Sequence, residues 1–170
     1  KQLLSDSILQ QVSQLLSNYQ LQPYNLRLEV TESALYSHEE LAIKQLQALH
    51  DMGIGIYIDD FGTGHSSLER LVTYPLSGLK IDRSFIKHIE EDRSDAAIAE
   101  AIINMAEALN LDVIAEGVES EGQINGLQQI NCNEIQGFYF ARPMPMEPLI
   151  SFLQTHGCKG GAKRQEPCPA

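Results

Sequence analysis

The stretch that decides the fold is an apolar run that ends on two aspartates and a glycine-rich turn, Ile54-Gly55-Ile56-Tyr57-Ile58-Asp59-Asp60-Phe61-Gly62-Thr63-Gly64. Its β-branched part is typical of a buried β-strand. Carboxylates that follow a buried strand and open into a flexible loop stand where β/α proteins place their chemistry. The stretch therefore predicts a strand of a parallel β/α fold with a pair of acids at its carboxyl end.

Helical and strand patterns alternate on both sides of this stretch. Apolar spacing predicts an opening helix over residues 1–22, and residues 26–31 alternate like a strand. The other predicted strands are 79–82, 112–115, 134–137 and 138–140. The predicted helix starts are Ser37-x-x-Glu40, Ser66-x-x-Glu69, Ser94 (through Asn110), Ser120-x-x-Gln123 and Pro148. Such alternation indicates about six parallel strands with covering helices.

Composition narrows the class of protein. The chain has 170 residues and a formal net charge of -11, which argues against a DNA-binding protein that tracks phosphates with basic residues. No apolar run approaches the roughly 18–20 residues of a membrane span. Cys132, Cys158 and Cys168 fit no metal signature and are interpreted as thiols in a reducing compartment. We expect a cytoplasmic domain, and the sequence leaves membrane attachment of the parent protein open.

Every predicted strand ends in polar groups, and nearly all of them are acidic. They are Glu29, Glu32, Asp59, Asp60, Lys80, Asp82, Glu116, Glu119 and Gln136. In a parallel β/α architecture these ends lie on one face, so seven carboxylates and one lysine should converge there. Like charges in a partly desolvated cleft repel, so a cation must neutralise them. Oxygen ligands favour Mg²⁺ or Mn²⁺, and two such ions roughly 3.5–4 Å apart are used to cleave phosphodiesters.

Each of these residues also has an ordinary structural explanation. Two aspartates before a glycine fit a turn. Glu29 fits an exposed strand residue, Glu119 fits the acid favoured near a helix start, and Lys80 fits a solvated charge. These explanations weaken together, because they would all have to apply at successive strand ends.

Five blocks of the sequence, in order, resemble the signatures of EAL domains, which are bacterial cyclic-di-GMP phosphodiesterases with a modified TIM-barrel fold. The blocks are Leu28-Glu29-Val30-Thr31-Glu32-Ser33, Ile58-Asp59-Asp60-Phe61-Gly62-Thr63-Gly64, Leu79-Lys80-Ile81-Asp82, Ala115-Glu116-Gly117-Val118-Glu119 and Gln136-Gly137. The resemblance covers nearly all of residues 1–155. It implies hydrolysis of one 3′–5′ phosphodiester of cyclic-di-GMP to linear pGpG, with Mg²⁺ or Mn²⁺.

The resemblance also implies a role for each residue. The implied metal ligands are Glu29, Asp59, Asp60 and Glu116. Lys80 would position or activate the attacking water, with support from Glu119 and Gln136. Glu32 would anchor the loop Phe61 to Ser67, which in the family links metal binding to dimerisation. Asp82 would lie close to the same water.

Departures from the family pattern limit these expectations. The sequence contains no Glu-Ala-Leu tripeptide, and the metal-binding asparagine expected before the opening helix is absent. His65 stands where the family usually has tyrosine, and we interpret it as a loop variant. A complete β/α barrel needs about 250 residues and eight strands. We therefore predict an incomplete TIM-barrel-like fold, a partial EAL domain over residues 1–156 with about six of eight strands, followed by a disordered tail or cloning remnant over 157–170.

An incomplete barrel has two exposed edges, which favour self-association. The prediction is a fragment that forms homodimers through these edges; the alternative is two copies that complete each other. Because two implied ligands are missing, we expect this chain itself to hydrolyse cyclic-di-GMP weakly or not at all. Two other functions stay open: a catalytically inactive cyclic-di-GMP-binding or regulatory domain, and an unrelated metal-dependent β/α enzyme.

Overall fold

The structure, a computed structural model, describes residues 7–31, 39–63 and 68–156 and has an α/β architecture. The five strands in these residues are β1 (Arg27–Thr31), β2 (Gly55–Phe61), β3 (Gly78–Ile81), β4 (Asp112–Ala115) and β5 (Glu134–Ile135). The α-helices are α1 (Ile8–Tyr19), α2 (Glu39–Asp51), α3 (Leu68–Thr73), α4 (Arg83–Ile86), α5 (Arg93–Ala108), α6 (Glu121–Gln129) and α7 (Met146–His156). A short 3-10 helix, Pro23–Asn25, precedes β1.

The five strands form one parallel sheet in the order β1-β2-β3-β4-β5. Strands that follow each other in the chain are therefore neighbours in the sheet, which is the pattern of a β/α barrel wall. The chain divides into two compact units, Lys1–Phe140 and Ala141–Ala170, and all five strands belong to the first. This confirms the predicted α/β class and the parallel sheet.

The core lies around the central strands. Ile56 and Ile58 of β2 and all four residues of β3 are buried, and α2 packs against β2. From α2, Leu46 and Leu49 have no exposed surface. Burying a side chain of this size stabilises the fold by about 1.5–3 kcal/mol. The carboxyl ends of β2 and β3 are thus fixed by a rigid apolar layer.

Several predicted boundaries are confirmed. Ser120 and Gln123 form the expected capping box at the start of α6. Gly53, with φ of +90°, follows the end of α2, as expected for a residue that terminates a helix. Helix α3 ends at Thr73, just before the Tyr74-Pro75 pair. These local signals act through backbone hydrogen bonds and sterics, which is why the sequence alone reveals them.

Two predictions are wrong. Phe138–Phe140 was predicted as a sixth strand but is a turn. In this turn the Tyr139 N–H donates to Val118 O at 3.0 Å. The long helix is capped by Asp92 instead of Ser94: the Asp92 carboxylate accepts from the Ser94 N–H at 2.7 Å. Asp and Ser are equally good N-caps, so residue type alone does not favour Ser94 over Asp92.

Some predictions lie outside the described residues. They concern the residues that begin the predicted helices at Ser37 and Ser66, the loop anchor Glu32, the loop positions 64–67 with His65, and the tail 157–170. Within the described residues, every helix is too short or too polar to cross a membrane.

Candidate metal centre at the carboxyl ends of the strands

Lys80, on β3, is the centre of the site. Its side chain is buried and makes three ion pairs, each with an acid on a different segment. The Lys80 Nζ lies 2.5 Å from Glu116 Oε1, 2.8 Å from Glu29 Oε1 and 3.3 Å from Asp59 Oδ1. The contacts with Glu116 and Glu29 are charge-assisted hydrogen bonds, which are strong and directional. They bring together β1, β2 and the loop after β4, as the sequence predicted for the strand ends.

The charges around Lys80 do not balance. Burial lowers the pKa of the Lys80 ammonium, but its hydrogen bonds to Glu116 and Glu29 outweigh burial and leave the pKa raised. Burial raises the pKa of the Glu116 carboxyl, and the hydrogen bond from Lys80 offsets this only in part. Lys80 is therefore a stable cation at neutral pH. One cation faces several carboxylates, so the site retains a surplus of negative charge.

A β-bulge places both aspartates at the site. Ile58 pairs with Leu79 and Phe61 with Ile81, so Asp59 and Asp60 stand opposite the single residue Lys80. In a straight strand, neighbouring side chains point to opposite faces. The Asp60 side chain does not alternate in this way because the φ of Asp60 is +55°, in the left-handed region that aspartate tolerates. Carboxylate oxygens of Asp59, Asp60 and Glu116 consequently lie within 4.8 Å of one another.

The conformation of Asp60 makes a testable prediction. Asparagine also tolerates the left-handed region, so Asp60→Asn should change the free energy of unfolding by less than about 0.5 kcal/mol. Valine does not, so Asp60→Val should cost about 1–2 kcal/mol more than Asp60→Asn. Urea unfolding followed by circular dichroism measures both. Because valine favours strands in general, a valine variant as stable as the asparagine variant would contradict the assigned backbone.

The donor atoms fit a divalent cation. Asp59 Oδ1 is buried, and no hydrogen bond satisfies it within the described residues, since its 3.3 Å approach to Lys80 Nζ lacks hydrogen-bond geometry. Its neighbours Asp60 and Glu116 add two further carboxylates. A set of hard oxygen donors without histidine or cysteine matches Mg²⁺ or Mn²⁺. These three residues could hold one ion, and Glu29 lies close by, with its Oε1 2.8 Å from Lys80 Nζ.

Glu119 and Gln136 lie on the same edge of the sheet, but their side chains are exposed. Gln136 is held through its backbone: its N–H donates to Ala115 O at 2.8 Å, and its carbonyl accepts from the Val118 N–H at 3.2 Å. A Cβ on Gly137 would collide with the Val118 backbone, so only glycine permits this approach. Within the described residues, neither side chain forms an ion pair or a hydrogen bond with Lys80, and their supporting role stays a prediction.

Asp82 has a different place in the structure. Its carboxylate caps α4 and accepts from the Ser84 N–H at 2.9 Å. An acid between a strand and a helix serves well as an N-cap. The predicted position of Asp82 beside the reacting water stays a prediction.

A separate cavity of about 530 Å³ lies at the other end of the sheet. It is lined by Ile103, Glu107, Asn110, Leu111, Asp112, Val113, Asn131, Cys132, Asn133 and Glu134. Burial raises the pKa of the Cys132 thiol to about 11, so this cysteine is a poor nucleophile. Its lining residues lie toward the amino ends of β4 and β5, and none of them belongs to the acid cluster around Lys80.

Comparisons with known proteins give a matching family model and similar relatives. The family model described as EAL domain matches residues 1–143. The Pseudomonas aeruginosa protein named bifunctional diguanylate cyclase/cyclic di-GMP phosphodiesterase MucR is 48% identical over 136 residues, which are 80% of this chain and 20% of MucR. The chain also spans 19% of Escherichia coli oxygen sensor protein DosP, at 39% identity over 89% of this chain. It thus covers about a fifth of the length of these relatives.

Solved structures are similar as well. A PaMucR phosphodiesterase structure in complex with c-di-GMP has a TM-score of 0.81 and 45% identity, over 87% of this chain and 60% of that one. A manganese and cyclic-di-GMP complex of Klebsiella pneumoniae BlrP1 has a TM-score of 0.77 and 30% identity, over 82% of this chain and 36% of that one.

Proposed function

Because this chain belongs to the EAL domain family, we propose that it contributes the acid and lysine centre of a metal-dependent phosphodiesterase that hydrolyses cyclic-di-GMP to linear pGpG. The observation that carries the proposal is the cluster of Asp59, Asp60 and Glu116 oxygens within 4.8 Å of one another, beside a buried Lys80. The relatives named as cyclic di-GMP phosphodiesterases give the substrate class.

The reaction adds water to one phosphodiester phosphorus. The P–O3′ bond breaks, the released 3′ oxygen takes a proton, and the phosphate stays on the 5′ carbon. Asp59, Asp60 and Glu116 would hold Mg²⁺ or Mn²⁺, with Glu29 as a further ligand and two ions in the complete domain. Such ions supply Lewis-acid activation of water and neutralise charge that develops on the phosphoryl oxygens.

Lys80 serves as an orienting cation in this proposal. Its hydrogen bonds to Glu116 and Glu29 outweigh burial and raise the pKa of its ammonium, which acts as a hydrogen-bond donor. Its three acidic partners fix the direction of Nζ. A group held this firmly can position a water or a phosphoryl oxygen without reorganising during the reaction. Glu119 and Gln136 are proposed to support the same water.

Location and assembly are also parts of the proposal. We propose a cytoplasmic domain that binds cyclic-di-GMP and forms homodimers. In the described sheet, β1 and β5 each pair with one neighbouring strand, so each has an edge that can accept another strand. A second candidate is a catalytically inactive cyclic-di-GMP receptor, which would bind the nucleotide without cleaving it; the intact acids around Lys80 weigh against it.

A paired experiment separates the two functions. Cyclic-di-GMP is titrated into the chain calorimetrically with and without Mn²⁺, and the same samples are analysed for pGpG with the chain in excess over the nucleotide. We expect Mn²⁺-dependent binding and slow conversion to pGpG. Binding without any pGpG would favour the receptor, fast multiple turnover would contradict the expected weak activity, and a lack of binding in both arms would refute the proposal.

A further inference from the structure

A second set of polar side chains lies on the strands, toward their amino ends. It consists of Arg27 on β1, Tyr57 on β2, Asp112 on β4 and Glu134 on β5. Tyr57 is buried, with 2% of its surface exposed. No role was predicted for any of these residues from the sequence, and none of them belongs to the acid cluster around Lys80. Hereafter they are called the lower layer.

An ion pair joins the two outermost strands of the sheet. Arg27 Nη1 lies 2.7 Å from Glu134 Oε2, and Arg27 Nη2 lies 3.5 Å from Glu134 Oε1. Three strands stand between β1 and β5 in the sheet order. A direct contact between their side chains requires the sheet to curl until its two ends approach each other. The Arg27–Glu134 pair therefore connects the ends of the curled sheet across its interior.

The rest of the lower layer braces this pair. The Arg27 guanidinium carbon lies 4.9 Å from the centre of the Tyr57 ring, a cation–π distance. The Tyr57 hydroxyl donates to Asp112 Oδ2 at 2.8 Å. Gly78 of β3 leaves the space for the Tyr57 ring, because a Cβ there would collide with it. All five strands thus contribute to one connected layer.

The lower layer stands directly beneath the candidate metal centre. Residues two apart on a strand point to the same face, about 6.6–6.8 Å from each other. Glu29 follows Arg27 by two positions, Asp59 follows Tyr57, and Gln136 follows Glu134. Backbone hydrogen bonds set only the spacing of neighbouring strands. Because β1 and β4 are not neighbours in the sheet, the separation of Glu29 from Glu116, which follows β4, depends on how far the sheet curls.

We propose that Arg27 and Glu134 are positioning residues, which clamp the first and last strands and so hold Glu29 within reach of the cation site formed by Asp59, Asp60 and Glu116. The proposal rests on the metal centre of the proposed function. Both side chains of the pair are more than a third exposed, 39% and 38%, so the pair adds little to the free energy of unfolding. Its contribution is geometric: ligands must be held closely to bind a cation well.

The test compares affinity for Mn²⁺ alone with stability. Arg27→Met and Glu134→Gln each remove the ion pair while keeping the side-chain volume. The double variant Arg27→Glu, Glu134→Arg restores it with the charges exchanged, and Asp51→Asn, an exposed carboxylate on α2, is the control. Mn²⁺ affinity is measured by calorimetry well below the unfolding temperature, and stability by urea unfolding.

We expect each single variant to weaken Mn²⁺ binding about five- to tenfold with a urea midpoint close to that of the unchanged chain. The exchanged pair should recover at least half of the loss on a logarithmic scale, and Asp51→Asn should bind as the unchanged chain does. Unaltered affinity in both single variants would overturn the clamp and leave the metal centre intact. A loss of Mn²⁺ affinity that is accompanied by a proportional loss in the urea midpoint would also overturn the clamp. An unchanged chain that fails to bind Mn²⁺ would overturn both the clamp and the metal centre.

Discussion

Asp59→Asn is expected to weaken Mn²⁺ binding to this chain by about 100-fold or more, the largest effect on binding that we predict for a single atom exchange. Asp59 supplies the buried oxygen of the acid cluster and lies within 4.8 Å of ligand atoms on Asp60 and Glu116. An amide keeps the shape of the side chain but loses the negative charge that strengthens binding of a hard cation. Calorimetric titration with manganese chloride measures the effect.

Stability should respond differently to the same exchange. Lys80 already has Glu29 and Glu116 as partners, so one carboxylate fewer eases the repulsion among acids. The free energy of unfolding should stay within about 1 kcal/mol of that of the unchanged chain, because the lost attraction and the relieved repulsion oppose each other. Asp51→Asn again serves as the control. A D59N chain that binds Mn²⁺ within threefold of the unchanged chain would remove Asp59 from the ligand set.

Lys80→Met is expected to slow hydrolysis of cyclic-di-GMP about 10³-fold, measured as pGpG formed in a single turnover with the chain in excess. Methionine retains an apolar stem but cannot orient a water or a phosphoryl oxygen. The variant should also lose about 2–4 kcal/mol of unfolding free energy without divalent cations, since three acids then lack their buried counter-charge. Glu29 and Asp59 keep some contact with water, which places the expected cost below that of a fully buried pair.

In contrast to its rate and its stability, the affinity of the Lys80→Met variant for Mn²⁺ should not fall. Without the Lys80 ammonium, Mn²⁺ meets the same carboxylates with no competing positive charge, so its affinity should be equal or higher. Added Mn²⁺ should then recover part of the lost stability by mass action. Lys44→Met, at an exposed position on α2, is the matched control and should leave rate, affinity and stability unchanged. A Lys80→Met rate within threefold of the unchanged chain would refute the assigned role of Lys80.

The sequence allowed most of the sheet to be predicted because its signals are local. A buried β-branched run marks β2, and the covering helices between strands imply a parallel sheet. The segment Phe138–Phe140 was wrongly predicted as a strand because aromatic residues, like β-branched ones, are common in strands. Its backbone instead bonds to Val118, in the loop after β4, a tertiary contact that no local pattern contains.

The candidate site was predictable in its residue types but not in its distances. Acids at strand ends indicated a shared edge, and the structure brings Glu29, Asp59 and Glu116 to Lys80. A period of two cannot place two adjacent aspartates on one face, so the bulge was missed. The Arg27–Glu134 pair was missed for another reason: its partners are 107 positions apart, and only the curl of the sheet brings them together.

The bulge at Asp59 and Asp60 bears on how such a centre could arise or be transplanted. A regular strand places one side chain at a given level on a given face of the sheet, whereas a strand with one inserted residue places two side chains there. Loss of that residue would also turn the Phe61 side chain to the opposite face of the sheet, so the deletion would affect more than one ligand. A protein engineer who moves this centre to another barrel should therefore copy the length of the segment and its left-handed residue together with the carboxylates.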